Sequence, residues 1–245
     1  MRKTIFIPIV LLMSAALLIS VGCKKENNGD TDKNPTKNQY LNPNLKYDLI
    51  MDIDGNKYAT IQIGTQTWMA ENLRTTKYND GTPILNVIDN DEWGDLHNGR
   101  YCVYANLFEN KQTYGLLYNW YAVNTGKLCP DGWHIPSDTE WSQLTIYLGN
   151  IGGKLKAVGN ISNGTGLWQF PNTDATNESG FSGLPGGYRH SSGEYQYIGS
   201  HGLWWSSKSW TTDGSWMRYL SYDNSGVGKE IHQMLSGFSC RCIKD

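Results

Sequence analysis

Two cysteines near the C-terminus are separated by a single residue, in the sequence GFSCRCIKD. On a β-strand Cys240 and Cys242 would point to the same face, because side chains two residues apart share a face. Two thiolates on one face could hold a soft metal or carry out redox chemistry. Alternatively, each sulfur could form a disulfide with a distant cysteine. The chemistry of this pair therefore separates an enzyme from a structural or binding protein.

The N-terminus indicates export. Arg2 and Lys3 precede an apolar run that ends at Gly22-Cys23, which is the pattern of a signal peptide. The sequence Ser-Val-Gly-Cys resembles the lipobox of bacterial lipoproteins, which implies removal of residues 1–22 and attachment of lipid, including palmitate, to Cys23. An uncleaved anchor is the alternative, since a membrane span needs ~20 apolar residues. The lipoprotein is favoured because no other cysteine precedes Cys102.

The polar segment that follows is predicted to be a tether. Residues 24–46 are rich in Asn, Lys, Asp and Pro, and such a segment cannot bury enough apolar surface to fold. We therefore predict a lipidated cysteine and flexible tether over 23–46 and one domain over 47–245. The predicted location is the cell envelope, with a lipid anchor in the outer membrane and the domain facing the periplasm or the surface.

Charge and cysteine number restrict the function further. The formal net charge is -2, without a basic cluster after the signal, so nucleic acid is not a predicted partner. Four cysteines remain after Cys23, and in an exported chain this number favours two disulfides over a metal pair. We predict Cys129–Cys242 and Cys102–Cys240, with the swapped pairing as a close alternative.

Local patterns predict an α+β fold. Alternating apolar residues around Asp54-Gly55-Asn56 predict a β-hairpin, and Ser137 with Glu140 predicts a capping box that begins a helix ended by Gly149. A second short helix is predicted over Tyr114–Val123. The later segments read as strands separated by turns. Strands followed by two short helices, long loops and further strands favour antiparallel sheets with helices to one side.

Six separated motifs resemble one family. In chain order they are IGTQTWMAENL, YGLLYNWYAVN, LCPDGWHIPSDTEW, ATNESGFSGLPGGYR, GLWWSS and GFSCRCIKD. Together they are similar to the Fibrobacter succinogenes major paralogous domain, a family of exported and often lipid-anchored bacterial proteins. More remotely, GWHIPSDTEW and the terminal strand resemble the C-type lectin-like fold of the formylglycine-generating enzymes. The resemblance implies that the two chain ends meet in one sheet. A fold alone does not assign an activity.

No complete catalytic motif is visible, so we predict a protein that is not an enzyme and has no catalytic residues, metal or cofactor. An enzyme of the formylglycine-generating type would use Cys240 and Cys242 to hold copper. The histidines lack the HxH or HExxH spacing of zinc hydrolases, and neither a GxSxG elbow nor a P-loop occurs. Glu140 and Glu178 are the carboxylates to inspect for glycan cleavage, and we interpret them as a helix cap and a loop brace.

The remaining hypothesis is binding, and it rests on aromatic residues near the C-terminal end. The ligand-binding candidates are Tyr195, Tyr197, Trp205, Trp210 and Trp216. Rings interleaved with polar side chains suit glycans and peptides. Because neighbouring strand residues point opposite ways, one of Trp204 and Trp205 should pack inside. No calcium motif occurs, although Asp213, Asp223 and Asn224 could supply oxygens. The predicted function is a lipid-anchored cell-envelope binding or structural module for glycan or protein, with an enzyme as the alternative.

Overall fold

A computed structural model describes Met1, residues 38–95 and residues 97–245. The predicted signal peptide, Cys23 and most of the predicted tether lie outside these residues. None of the helices in the described ranges is long and apolar enough to cross a membrane.

The described residues form many short strands and a few short helices. The strands are β1 (Asp48–Met51), β2 (Lys57–Ile63), β3 (Gln66–Met69), β4 (Leu85–Asn86), β5 (Arg100–Cys102), β6 (Leu117–Asn119), β7 (Trp133–His134), β8 (Gly186–Arg189), β9 (Tyr195–Ile198), β10 (His201–Ser209), β11 (Gly214–Ser221), β12 (Gly228–Gln233), β13 (Gly237–Phe238) and β14 (Ile243–Lys244). The α-helices are α1 (Asn90–Asp95), α2 (Phe108–Tyr114), α3 (Trp120–Val123) and α4 (Asp138–Tyr147). This sheet-rich arrangement confirms the α+β class.

The first sheet joins the two ends of the domain. Its strands run in the order β1-β2-β3-β14-β7, and every neighbouring pair is antiparallel. The predicted hairpin is present as β1 and β2. Its turn is held by the Asp52 carboxylate, which accepts from the backbone N–H groups of Asp54 and Asn56 at 3.0 and 2.9 Å. Since β14 pairs with β3, the two ends of the domain meet in one sheet, as the family resemblance implied.

The second sheet is larger and mixed. Its order is β12-β11-β10-β8-β13-β6-β5-β4, with β9 paired to β8. The pairs β10–β8 and β4–β5 are parallel, so the prediction of antiparallel sheets holds for the first sheet and for most of the second. Strands β10, β11 and β12 form an antiparallel meander at one end of this sheet.

Strand β10 lies between two hydrophobic cores. Trp204 belongs to the tryptophan core, a buried cluster that includes Trp68, Trp141 and Trp168. Trp205 belongs to the main core, which includes Phe238 and three cysteines. The two indoles point to opposite faces, as strand geometry requires. We expected one of them to pack inside, and both do, because both faces of β10 are covered here.

Helix α4 begins as the sequence predicts. The Ser137 hydroxyl accepts from the Glu140 N–H at 3.3 Å, and the Glu140 carboxylate accepts from the Ser137 N–H at 2.7 Å, which is a reciprocal capping box. Gly149 follows the helix with φ of 72°, a left-handed conformation that glycine adopts without steric cost.

The helix predicted over Tyr114–Val123 is wrong in its middle part, between the end of α2 at Tyr114 and the start of α3 at Trp120. Residues Leu117–Asn119 form β6, which pairs with β5 and β13. Only the single turn α3 follows, capped by the Asn119 side chain, which accepts from the Ala122 N–H at 3.1 Å. Sheet pairing on both sides of β6 therefore overrides the local helical pattern. Helices α1 and α2 were not predicted.

One of the two predicted disulfides is present. Cys129 and Cys242 are bonded, with 5.9 Å between their Cα atoms. The predicted Cys102–Cys240 bridge is wrong, since both residues are buried free thiols. Cys240 lies in the main core, whereas Cys102 lies in a separate small cluster with Trp93. The even cysteine count could not show this division between two cores.

The disulfide leads to a first prediction. It spans 113 residues of sequence, and closing a loop of this size stabilises by ~4 to 5 kcal/mol in the chain-entropy model. We expect a reductant to lower the denaturant midpoint of the wild-type protein and to leave that of a Cys129→Ala, Cys242→Ala double variant unchanged.

Alkylation under denaturing conditions without reductant checks the pairing itself. Cys102 and Cys240 should be modified in mass spectra, while Cys129 and Cys242 should react only after reduction. Modification of Cys129 or Cys242 before reduction would contradict the assignment.

Candidate functional site: an aromatic groove

Two of the five aromatic binding candidates are structural. Trp205 is fully buried, and its indole N–H donates to the Tyr118 carbonyl at 2.8 Å. Its ring centroid lies 4.4 Å from that of Phe238. Tyr195 donates from its hydroxyl to the Asn106 side chain at 2.9 Å. The Arg189 guanidinium carbon also lies 5.0 Å from the centroid of the Tyr195 ring. The proposed role of Trp205 in ligand contact is therefore wrong, and the contacts of Tyr195 are internal.

Trp210 and Trp216 form a separate pair beside the β10–β11 turn. Their ring centroids lie 5.0 Å apart, and Trp210 is 62 % exposed. The ammonium group of Lys229 lies 4.0 Å from the Trp216 ring centroid. On β11 Trp216 alternates with Met217 and Tyr219, so this pair lies on the opposite sheet face from those two residues.

Tyr197, another of the five, lines a cavity that we call the aromatic groove. Its volume is about 350 Å³, and its lining residues are Tyr188, Tyr197, His201, Leu203, Met217, Tyr219, Glu230 and His232. An adjoining cavity of about 350 Å³ shares His201 and Tyr219 and continues to Ser221, Asp223 and Asn224. The structure therefore provides one cleft with an aromatic part and a polar end.

Strand register explains how separate residues come together in the groove. Leu203 pairs with Tyr219 on β11, and Tyr219 pairs with Gly228 on β12. Met217 lies beside Glu230 in the next register position. Residues two apart share a face, so these strands present one lining to the groove. Gly228 is required there, since a Cβ atom would lie 2.1 Å from the Tyr219 ring.

The rings of the groove form a continuous arc. The ring of Tyr197 lies 5.6 Å from that of Tyr188 and 4.8 Å from that of His201. The arc continues from His201 to Tyr219 at 6.0 Å and from Tyr188 to His232 at 5.4 Å. Tyr197 has a φ of 66°, a left-handed conformation that costs a residue with a Cβ ~1 kcal/mol or more. Such strain is often kept where a side chain serves a function.

The aromatic part of the groove holds the Glu230 carboxylate, whereas the polar end holds Asp223 and lies against the buried Lys156, whose ammonium group donates to two backbone carbonyls there at 3.0 and 3.1 Å. Burial lowers the pKa of His201 and of His232, so both imidazoles are neutral at neutral pH. Burial and the neighbouring Glu230 raise the pKa of Tyr219, which keeps its hydroxyl protonated. Among the described residues neither Glu230 nor Asp223 has a lysine or arginine partner within 4.0 Å. The aromatic part of the groove is therefore lined by one carboxylate, that of Glu230, and by no lysine or arginine of the described chain.

The other chemical candidates are not brought to the groove. Asp213 lines a third cavity, of about 470 Å³, with His97 and Tyr121, apart from Asp223 and Asn224. No three His, Cys, Asp or Glu side chains within residues 38–95 and 97–245 are placed to hold a metal ion. Glu178 pairs with Lys154 at 2.9 Å and is about half exposed, consistent with a loop brace.

His134 and Glu140 belong to the C-terminal contacts of the domain. The His134 ring bonds the Glu140 carboxylate at 2.9 Å through Nε2 and the Asp245 carboxylate at 2.5 Å through Nδ1. Glu140 is at the same time the helix cap predicted from the sequence. The two residues therefore fasten the last residue of the chain to α4.

Sequence reasoning missed most of the groove. Its unrecognised residues are Tyr188, His201, Leu203, Met217, Tyr219, Glu230 and His232. Strand β12 was not predicted because GKEIHQ is polar and mostly exposed. The available signal was alternation, since Met217, Tyr219 and Ser221 are two apart on β11. Pairing of that face with β12 appears only in the folded chain.

The fold and the cleft define a sheet-rich α+β domain with an open aromatic groove. The family model described as the Fibrobacter succinogenes major domain matches residues 61–244, and the chain belongs to this family. A search of curated proteins and a search of solved structures each found no match.

His134 provides a second prediction. Burial lowers its pKa, and the hydrogen bonds to Asp245 and Glu140 outweigh burial, so the net pKa is raised. Its stabilising contribution is therefore present below the ordinary histidine pKa of ~6.5 and is lost as pH rises through the raised folded value. Because the ring is 40 % exposed, the gain should be below ~1 kcal/mol.

We expect NMR titration to give His134 a pKa above the ordinary value in the wild-type protein. The Glu140→Gln variant should have a lower His134 pKa, and Glu178→Gln should leave it unchanged. An unshifted His134 pKa in the wild-type protein would contradict the contacts described above.

Proposed function

We propose that the protein is a lipid-anchored module of the cell envelope whose aromatic groove binds a glycan. The observation that carries this proposal is the arc of rings on strands β8 to β12, which borders an open cavity instead of filling a core. Aromatic rings offer flat apolar surface to the faces of sugar rings. Neighbouring hydroxyl and carboxylate groups can orient the sugar hydroxyls.

The size and rigidity of the groove support this proposal. Its volume of about 350 Å³ lies in the lower part of the ~300 to 1,000 Å³ range of small-ligand pockets, and the adjoining polar end extends it. Residues His201 and Leu203 are held in register by the β10–β11 ladder. A site on strands is positioned more firmly than one on loops, which lowers the entropy lost on binding.

Attachment to the envelope is proposed on the sequence alone. The signal-like residues 1–22, Cys23 and the polar segment 23–46 support an exported lipoprotein that holds the domain on a tether, in the outer membrane, facing the periplasm or the surface. A tether of this kind would let the groove search a volume near the membrane for its glycan.

We propose binding in preference to catalysis. An enzyme of the formylglycine-generating type would need Cys240 and Cys242 as two reduced thiols, and Cys242 is instead bonded to Cys129. The carboxylates singled out for glycan cleavage, Glu140 and Glu178, engage in a helix cap and a surface ion pair.

The binding proposal gives a third prediction. Tyr197→Ala removes a ring that is 53 % exposed, so the fold should tolerate it. We expect affinity for glycans selected from an array to fall about tenfold, or ~1.4 kcal/mol, in isothermal titration calorimetry. Trp210→Ala, which removes a more exposed ring outside the groove, is the matched control and should bind as the wild-type protein does.

The opposite pattern, with Trp210→Ala impaired and Tyr197→Ala intact, would place the site elsewhere. If no glycan is retained by the wild-type protein, the glycan proposal is wrong.

The anchor gives a fourth prediction. Replacing Cys23 by Ala should move the protein from the membrane fraction to the soluble fraction and abolish labelling by radioactive palmitate, because Cys23 is the proposed lipid attachment point. Asn28→Ala in the same segment should change neither. Membrane-bound Cys23→Ala protein would show that the N-terminal segment is an uncleaved anchor.

A further inference from the structure

The charges on strands β11 and β12 are divided between the two faces of the sheet. Arg218 and Lys229 both point away from the groove and both contact Asp138 at the start of α4, at 2.6 and 2.9 Å. Glu230, next to Lys229 in the chain, lines the groove instead. Alternation along each strand thus places the cations on one face and the carboxylate on the other.

Neighbouring strands add no cation to the groove. On β8, Tyr188 lines the groove, whereas the guanidinium of the adjacent Arg189 is buried and donates to the Val87 and Asp89 carbonyls at 2.6 and 3.0 Å. On β10 the groove receives His201, and on β12 His232, both neutral near pH 7. His190 lies 6.3 Å from His232 between ring centroids and is engaged with Ser192 at 2.8 Å.

Glu230 is therefore a carboxylate without a cationic partner at the edge of an aromatic arc. Its polar neighbour in the groove is the Tyr219 hydroxyl. A ligand that covered Glu230 without a compensating charge would remove water from the carboxylate at a free-energy cost. An acidic ligand would add repulsion from Glu230.

A ligand with an ammonium group can interact both with the tyrosine rings and with the Glu230 carboxylate of the groove. A cation is attracted to the faces of tyrosine rings, and a carboxylate forms a charge-assisted hydrogen bond with an N–H donor. The groove offers three tyrosine rings, those of Tyr188, Tyr197 and Tyr219, together with Glu230. Few other organic groups use rings and carboxylate at once.

We infer that the aromatic groove selects ligands that carry an organic ammonium group, as amino sugars with free amines do, over neutral and acidic sugars. This inference rests on the proposed glycan-binding function and names its ligand class. Glu230 is the residue that determines the preference, and the tyrosine rings supply binding to any sugar face.

The test compares three tetrasaccharides with the full-length protein in detergent, by calorimetry at a pH slightly below neutral. The probes are the tetramers of glucosamine, N-acetylglucosamine and galacturonic acid. We expect the glucosamine tetramer to bind about tenfold more tightly than the acetylated one, or ~1.4 kcal/mol, and the uronic acid to bind most weakly. Glu230→Gln should remove the preference, so that the glucosamine and acetylated tetramers bind with equal affinity. Glu178→Gln is the matched control and should keep the preference.

Choline identifies the part of the ligand that is recognised. Displacement of the glucosamine tetramer by choline supports recognition of the ammonium group on any carrier. Absence of displacement, with the Glu230-dependent preference kept, supports recognition of the amino sugar as a unit.

The outcomes separate the two proposals. Binding of the acetylated tetramer that is lost in Tyr197→Ala but shows no amine preference, or a preference that survives Glu230→Gln, overturns the ammonium inference and keeps the glycan site. Failure of all three tetramers to bind overturns the inference, and failure across the glycan array overturns the binding proposal itself.

Discussion

The rest of the structure depends on one buried cation, the guanidinium of Arg241. It is 1 % exposed and donates to the carbonyls of Phe181 and Ser182 and to the Asn72 side chain. Its planar group lies 4.0 Å from the Phe181 ring centroid and 5.5 Å from that of Trp204. Burial lowers the pKa of Arg241 to about 9. Carbonyl dipoles and ring faces, instead of a carboxylate, thus compensate the charge, and losing them would leave a buried cation unpaired.

The residues on either side of Arg241 are also held by backbone hydrogen bonds. Cys240 and Cys242 accept through their carbonyls from the Leu73 and Met69 N–H groups, each at 2.9 Å, and the Cys242 sulfur continues to Cys129. The terminal strand is therefore fixed on its two sides and through its side chains. Strand β10 is bonded to the same terminal segment, since the Trp205 N–H donates to the Ser239 carbonyl at 3.2 Å, and the groove lies along this strand.

Local sequence patterns predicted the structure correctly where the backbone groups of a segment form hydrogen bonds with neighbouring residues of the same segment. The hairpin turn at Asp52 and the capping box at Ser137 need only neighbouring residues, and both were predicted. The sequence was insufficient where distant segments decide the outcome. Strand β6 forms in place of a predicted helix because it pairs with a strand on each edge. Trp205 is buried because both faces of β10 are covered. Cys102 lacks the partner predicted for it because it lies in a different core from Cys240. The groove belongs to this second group, since its lining comes from five strands.

Strand β12 is the outermost strand of the larger sheet and pairs with β11 alone in the described part of the chain. Its free edge carries backbone donors and acceptors that could pair with a second polypeptide, which makes such edges starting points for aggregation. Lys229 and Glu230 stand in the middle of that edge, and a second copy aligned on it would meet charges on both faces. The carboxylate placed toward the groove therefore also opposes pairing of this edge with a second copy of the chain.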